Sequence, residues 1–224
     1  MASRHEEKYI IDYRSYLLLK TRALQLMTPD VNGIMGNYVI TSLYYDDHLD
    51  HALAEKLDGL AEHTKFRIRS YNFSDSYIKL ERKDKHGILT KKYSSVITRD
   101  RIADLNGVNT DLSRFEGKAY DLAAQIRAGD MRKTIAVRYT RDAFFYAGSD
   151  FRLTFDTALE AIAPETEALF SPHVSGLPVL DGNSVIMEIK YGSHIPAFAR
   201  KFTDVDTKQL SVSKYALCRE RHTF

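Results

Sequence analysis

Four stretches of this chain alternate charged with apolar side chains, and their charged positions hold mostly lysine and arginine. They are Lys65-Phe66-Arg67-Ile68-Arg69, Lys79-Leu80-Glu81-Arg82-Lys83, Phe151-Arg152-Leu153-Thr154-Phe155-Asp156 and Met187-Glu188-Ile189-Lys190. A period of two is the strand signature, because successive side chains point to opposite faces of a sheet. An ordinary half-buried strand shows water a scatter of polar groups. Here the polar face is a repeated set of long cations with a few carboxylates among them. The pattern predicts strands that close into a barrel, apolar faces outward beneath helices and charged faces inward. Such an interior is costly unless a polyanion fills it. The expectation is a phosphate-binding tunnel.

The 224 residues are enough for one sizeable domain, expected to span residues 1–224. A net charge of +2 argues against a nucleic-acid coat, which would spread excess lysine over its surface. The basic residues must therefore act by local concentration. The one cysteine, Cys218, leaves no intrachain disulfide and no cysteine-based zinc site, and fits a reducing cytoplasm. The opening residues lack an apolar core, so no signal peptide is expected. No apolar run is long enough to cross a bilayer, so the chain is expected not to insert in a membrane and any membrane role falls to a partner protein.

Strands are predicted over about 4–11, 38–45, 63–72, 77–84, 89–95, 134–147, 151–156 and 185–191. Asp12 is placed to cap a helix over 13–27, with Leu17, Leu18, Ala23 and Leu24 as its apolar side. Further helical patterns cover 46–57, 97–127 with a break at Asn106-Gly107, 194–202 and 208–221, and residues 160–182 read as an irregular excursion. The fold class expected is α+β: a closed antiparallel eight-stranded β-barrel with helices packed outside, which leaves no exposed edge.

An ordered set of short motifs runs along the chain. Arg4-x-Glu6-x-Lys8-Tyr9 comes first, then Arg67-x-Arg69, Glu81-x-Lys83, Tyr139-x-Arg141, Arg152-x-Thr154-x-Asp156, Glu188-x-Lys190 and Ser213-Lys214-Tyr215. Each alone reads as a solvated strand or helix face. Together, in this order, they resemble the VTC domain, the catalytic module of vacuolar transporter chaperone polyphosphate polymerases, within the triphosphate tunnel metalloenzymes and their CYTH relatives. The resemblance implies a tunnel lined by Lys8, Arg67, Arg69, Lys83, Arg141 and Arg152, which would act on phosphoryl oxygens. Lys79, Lys91, Tyr139, Lys190, Ser213 and Lys214 are implied as further phosphate contacts, with Lys92 the alternative to Lys91. Glu188, with Glu6 and Glu81, is implied as the ligand set of a divalent metal, Mn²⁺ or Mg²⁺. The implied partners are ATP and inorganic polyphosphate, without nucleic acid.

The residue types suit that chemistry. Phosphoryl transfer is mostly positioning and electrostatic stabilisation of three equatorial oxygens. Arginine grips phosphate bidentately and lysine supplies movable charge. No G-x-x-x-x-G-K-[ST] loop is present, so a P-loop fold is not expected. Hydrolytic CYTH proteins usually open with E-x-E-x-K, whereas here Arg4 takes the first glutamate's place, which tilts the reading toward polymerisation. The expected activity is ATP-dependent polyphosphate synthesis. A metal-dependent tripolyphosphatase or nucleoside triphosphatase and a non-catalytic polyphosphate-binding module stay open beside it.

Overall fold

The computed structural model describes residues 5–30, 36–87, 89–192, 195–203, 208–209 and 213–222. In chain order the elements are β1 (His5–Asp12), α1 (Tyr13–Leu26), β2 (Thr28–Pro29), β3 (Asn37–Asp46), α2 (His51–Leu57), β4 (Glu62–Tyr71), β5 (Ser74–His86), β6 (Leu89–Ile97) and α3 (Gly117–Ala128). There follow β7 (Arg132–Phe145), β8 (Arg152–Ile162), β9 (Leu177–Pro178), β10 (Ser184–Tyr191), β11 (Lys208–Gln209) and α4 (Lys214–His222).

The chain packs as two compact units. The first takes Met1–Val39, Tyr139–Leu159 and Leu180–Val212; the second takes Ile40–Arg138, Glu160–Val179 and Ser213–Phe224. In the first, the strand order is β11-β1-β10-β8-β7, with β2 on the end of β7. In the second it is β7-β3-β4-β5-β6, with β9 on the last residues of β8. Strand β7 gives residues 132–138 to the second unit and 139–145 to the first.

Among the described residues eleven strands take part, not eight, and their order is open-ended, with β11 at one end and β6 at the other. The closed eight-stranded barrel expected from the sequence is corrected to an open-ended sheet whose described registers are antiparallel. The reason is that alternation decides which side chains share a face. It carries no information on whether the outermost strands pair.

Each unit has its own core. In the first, Tyr16, Leu19 and Ala23 of α1 pack with Ile11, Phe155, Met187 and Phe202. Asp12 starts that helix as expected, its Oδ1 accepting the Arg14 and Ser15 backbone N–H groups at 2.8 and 3.0 Å. Of the predicted apolar side only Ala23 is buried; Leu17, Leu18 and Leu24 are exposed. The run 16–19 is apolar on every side of the helix, so periodicity could not choose a face. In the second unit Leu122, Ala123 and Ile126 of α3 cover Leu43, Ile68 and Leu80.

Other expectations shift at their ends. Strand β5 starts at Ser74 because Asn72 and Phe73, both left-handed (φ 50° and 59°), make a two-residue hairpin turn. The 97–127 stretch holds three single 3₁₀ turns before α3, and Gly107 in one of them has φ 52°, which breaks a longer helix there. The 194–202 helix is a 3₁₀ turn at Ala197–Phe202, with position 194 outside the described residues. Residues 208–209 form strand β11 on β1, and the last helix begins at Lys214. The excursion after β8 is organised by Arg138, which donates to the carbonyls of Ala168, Ser171 and Val174 at 2.9–3.0 Å.

Candidate functional site

The second unit places its charged alternation on one face of β4, β5 and β6. Arg67 stands opposite Glu81, Arg69 opposite Lys79, and Lys65 opposite Lys83, while Phe66, Ile68, Ile78 and Leu80 turn to the core. On β6, Lys92 stands opposite Lys83. Over residues 65–69, 79–83 and 92–94 this face therefore holds six cations and one carboxylate, Glu81.

Glu81 is 1% exposed and organises that set. Arg67 reaches its Oε2 through Nε at 2.8 Å and Nη2 at 2.7 Å, and Lys92 pairs with its Oε1. Burial alone would raise the Glu81 pKa, but Arg67, Arg69 and Lys92 outweigh it and hold it at about 2. Burial depresses Lys92 in turn, against the pull of Glu81, with Arg67 and Arg69 adding to the depression. Strand β3 orients the arginines from the other side: Arg69 Nε donates to Ser42 Oγ at 3.0 Å, and Arg67 Nη1 to Tyr44 Oη at 3.2 Å.

Helix α4 docks on this unit through Tyr215. Its hydroxyl donates to Asp46 Oδ2 at 2.7 Å and its ring lies 4.9 Å from that of Tyr44. Asp46 also accepts the backbone N–H groups of Ala52 and Leu53 in α2. Just before the helix, Ser213 Oγ accepts from Lys65 Nζ at 3.0 Å. This sets Ser213 against the cationic face.

The first unit carries the same alternation with a different charge balance. Lys8 stands opposite Glu188 and Glu6 opposite Lys190; Glu188 then faces Thr154, and Lys190 faces Arg152. The named cations here have carboxylate partners. Lys8 Nζ meets Glu6 Oε1 at 2.8 Å, and Lys190 lies between Glu188 and Glu6, 3.7 Å from the latter. Arg152 Nη2 meets Asp30 Oδ2 at 2.7 Å. Arg141 binds Asp156 with both arms, Nε to Oδ1 at 2.6 Å and Nη2 to Oδ2 at 2.8 Å, and stacks 5.3 Å above Tyr139. Burial opposes the Arg141 charge, yet Asp156, Tyr139 and Glu188 drive its pKa well above the ordinary arginine value.

The VTC domain family model matches residues 3–221 of the chain, nearly its whole length. This chain belongs to the VTC domain family. No match was found among curated proteins. A candidate adenylate cyclase from Bacillus halodurans is similar in structure, with a TM-score of 0.54 at 10% identity over 94% of this chain and 95% of that one. A chain of the Mediator head module from Schizosaccharomyces pombe has a TM-score of 0.52 at 7% identity, over 92% and 99%. At such identities the likeness is one of fold.

In this VTC domain the residues expected from the sequence fall into two groups. Glu6, Lys8, Tyr139, Arg141, Arg152, Glu188 and Lys190 belong to the first unit, and Arg67, Arg69, Lys79, Glu81, Lys83, Ser213 and Lys214 to the second. Lys91 stands opposite Asp84, on the face turned away from Arg67, and its alternative Lys92 stands opposite Lys83, on the face of Arg67. Arg4 lies outside the described residues. Sequence reasoning missed Ser42, Tyr44 and Asp46. Their own alternation along β3 was the available signal, hidden because 38–45 read as a β-branched and aromatic run.

Glu81 is paired with Arg67 and Lys92, as Glu6 is with Lys8 and Glu188 with Lys190. Among the described residues no three His, Cys, Asp or Glu side chains gather into a cation cage. Glu6 and Glu188 share one face with Lys190 between them. Two carboxylates fit an ion that completes its shell with phosphate oxygens and water.

Proposed function

We propose that this chain is an ATP-dependent polyphosphate polymerase, which transfers the terminal phosphoryl group of ATP to the end of a growing polyphosphate chain and releases ADP. The observation that carries the reading is the cationic face of the second unit, where Lys65, Arg67, Arg69, Lys79, Lys83 and Lys92 lie on one face with Glu81. Membership of the VTC domain family supports it.

Arg67 and Arg69, oriented by Tyr44 and Ser42, would grip phosphoryl oxygens, with Lys65, Lys79, Lys83 and Lys92 adding charge along the polyanion. Ser213 and Lys214 would reach phosphate from the start of α4. In the first unit Lys8, Arg141, Arg152 and Lys190 would contact phosphate beside their carboxylates, and Tyr139 would support Arg141. Glu188 and Glu6 would hold a divalent metal, Mn²⁺ or Mg²⁺, which supplies charge neutralisation at the phosphates when bound. A phosphate terminus is already ionised and needs no general base to attack.

Incubating the protein with ATP and Mn²⁺, with and without a short polyphosphate primer, tests this on a polyphosphate-stained gel. A growing ladder with ADP, absent in Arg67→Ala/Arg69→Ala, is the expected result. Phosphate release without a ladder would make the chain a hydrolase. Binding of polyphosphate without turnover would make it a binding module.

A further inference from the structure

Helix α1 presents to solvent a surface that the phosphate chemistry does not use. Tyr13, Leu17, Leu18 and Leu24 are 44, 49, 48 and 54% exposed. At about 100° per residue, Tyr13, Leu17 and Leu24 form one stripe, while Leu18 lies between Arg14 and Arg22 on its flank. The 14-residue helix contains no Asp or Glu. Of its three cations, Lys20 is turned to Asp142 at 2.7 Å and to the Tyr16 hydroxyl at 3.1 Å, which leaves Arg14 and Arg22 for the surface.

A second element extends this surface. Arg22 Nη1 donates to the Lys201 carbonyl at 2.9 Å, tying α1 to the 3₁₀ turn Ala197–Phe202. Arg200 and Lys201 of that turn are exposed, as is Ile195 just before it. Arg22, Gln25, Leu26 and Lys201 line a surface notch where the two elements meet. The neighbouring carboxylate at the start of α1, Asp12, is engaged in capping by Arg14 N–H, Ser15 N–H and the Ser15 hydroxyl.

A solvated helix face mixes both signs of charge and keeps its leucines scattered. Among the described residues this one joins leucines to cations, with Asp12 at its start engaged in capping. A second copy of the chain is a poor occupant, because an isologous contact would set Arg14, Arg22, Arg200 and Lys201 against their own images. An anionic bilayer matches both halves of the pattern: its headgroup–acyl boundary accepts the leucines and its headgroups accept the cations. No helix among the described residues is long and apolar enough to cross a membrane, so the contact would lie along the surface.

We propose that Tyr13, Leu17, Leu18 and Leu24, with Arg14, Arg22, Arg200 and Lys201, form a face that docks peripherally on an anionic lipid bilayer. The test uses the full chain and sedimentation with vesicles of phosphatidylcholine alone or with about one-third phosphatidylserine. Binding is expected to the anionic vesicles, to weaken with added salt, and to fall about tenfold or more in Leu17→Glu/Leu24→Glu while the thermal melt stays in place. The chain has no tryptophan, so Tyr13→Trp gives a local probe whose emission shifts to the blue only with anionic vesicles. Equal binding by the Leu17→Glu/Leu24→Glu variant overturns the proposal. So does binding that is lost in Arg67→Ala/Arg69→Ala but kept in the leucine variant, which would assign lipid binding to the phosphate face. A dimer in light scattering that depends on Leu17, with no vesicle binding, overturns it in favour of a second copy.

Discussion

The two units put one alternating pattern to different electrostatic use. In the first, Lys8, Arg141, Arg152 and Lys190 sit with Glu6, Asp156, Asp30 and Glu188. In the second, six cations lie on one strand face with Glu81, which pairs with Arg67 and Lys92. Paired charges spend most of their field on each other and gain geometry from it, as in the two-armed Arg141–Asp156 contact. A face on which cations outnumber carboxylates suits a polyanion.

The sharpest way to break this contrast is to remove charge from the second unit. Arg67→Ala/Arg69→Ala should lower tripolyphosphate affinity by about 10²- to 10⁴-fold, from charge-assisted hydrogen bonds of about 1.5–3 kcal/mol each, read by calorimetry. A loss under about threefold would mean that the cationic face does not bind phosphate. Removing a paired charge from the first unit should act on stability instead. Asp156→Asn removes the fully buried carboxylate that Arg141 holds with both arms and should cost about 3–5 kcal/mol in urea unfolding. If it spares stability and abolishes phosphate binding, the division between the faces fails.

Acid should reach the second unit through Glu81. Its folded pKa of about 2 lies below the ordinary glutamate value of 4.5, so its contribution is fully present above pH 4.5 and is lost as pH falls toward 2. The shift corresponds to an effect on the order of 3 kcal/mol. Wild type should lose stability through that window more steeply than Glu81→Gln, measured by denaturant unfolding at a series of pH values. Parallel curves would show that Glu81 is not held this way. The smallest effect concerns register: Lys92→Ala should weaken tripolyphosphate binding about tenfold and Lys91→Ala by less than about twofold, because only Lys92 shares the face of Arg67. The reverse order would place the site on the other face of β6.

Much of this could be read from the chain because its informative features are local. Period-two alternation at 65–69, 79–83, 151–156 and 187–190 named the residues that share a face, and Asp12 named the start of α1. The ordered motifs pointed to the VTC domain family. Partners far apart in sequence were decided only by tertiary structure. Tyr215 finds Asp46 169 positions away, and Lys20 finds Asp142 at 122. Which leucines of α1 face out, that Lys92 rather than Lys91 joins Glu81, and that the strand order ends at β6 and β11 all depend on which strand lies next to which. A repeat of two residues carries no record of its neighbours, so the sequence named which strand residues share a face and the fold decided what each face meets.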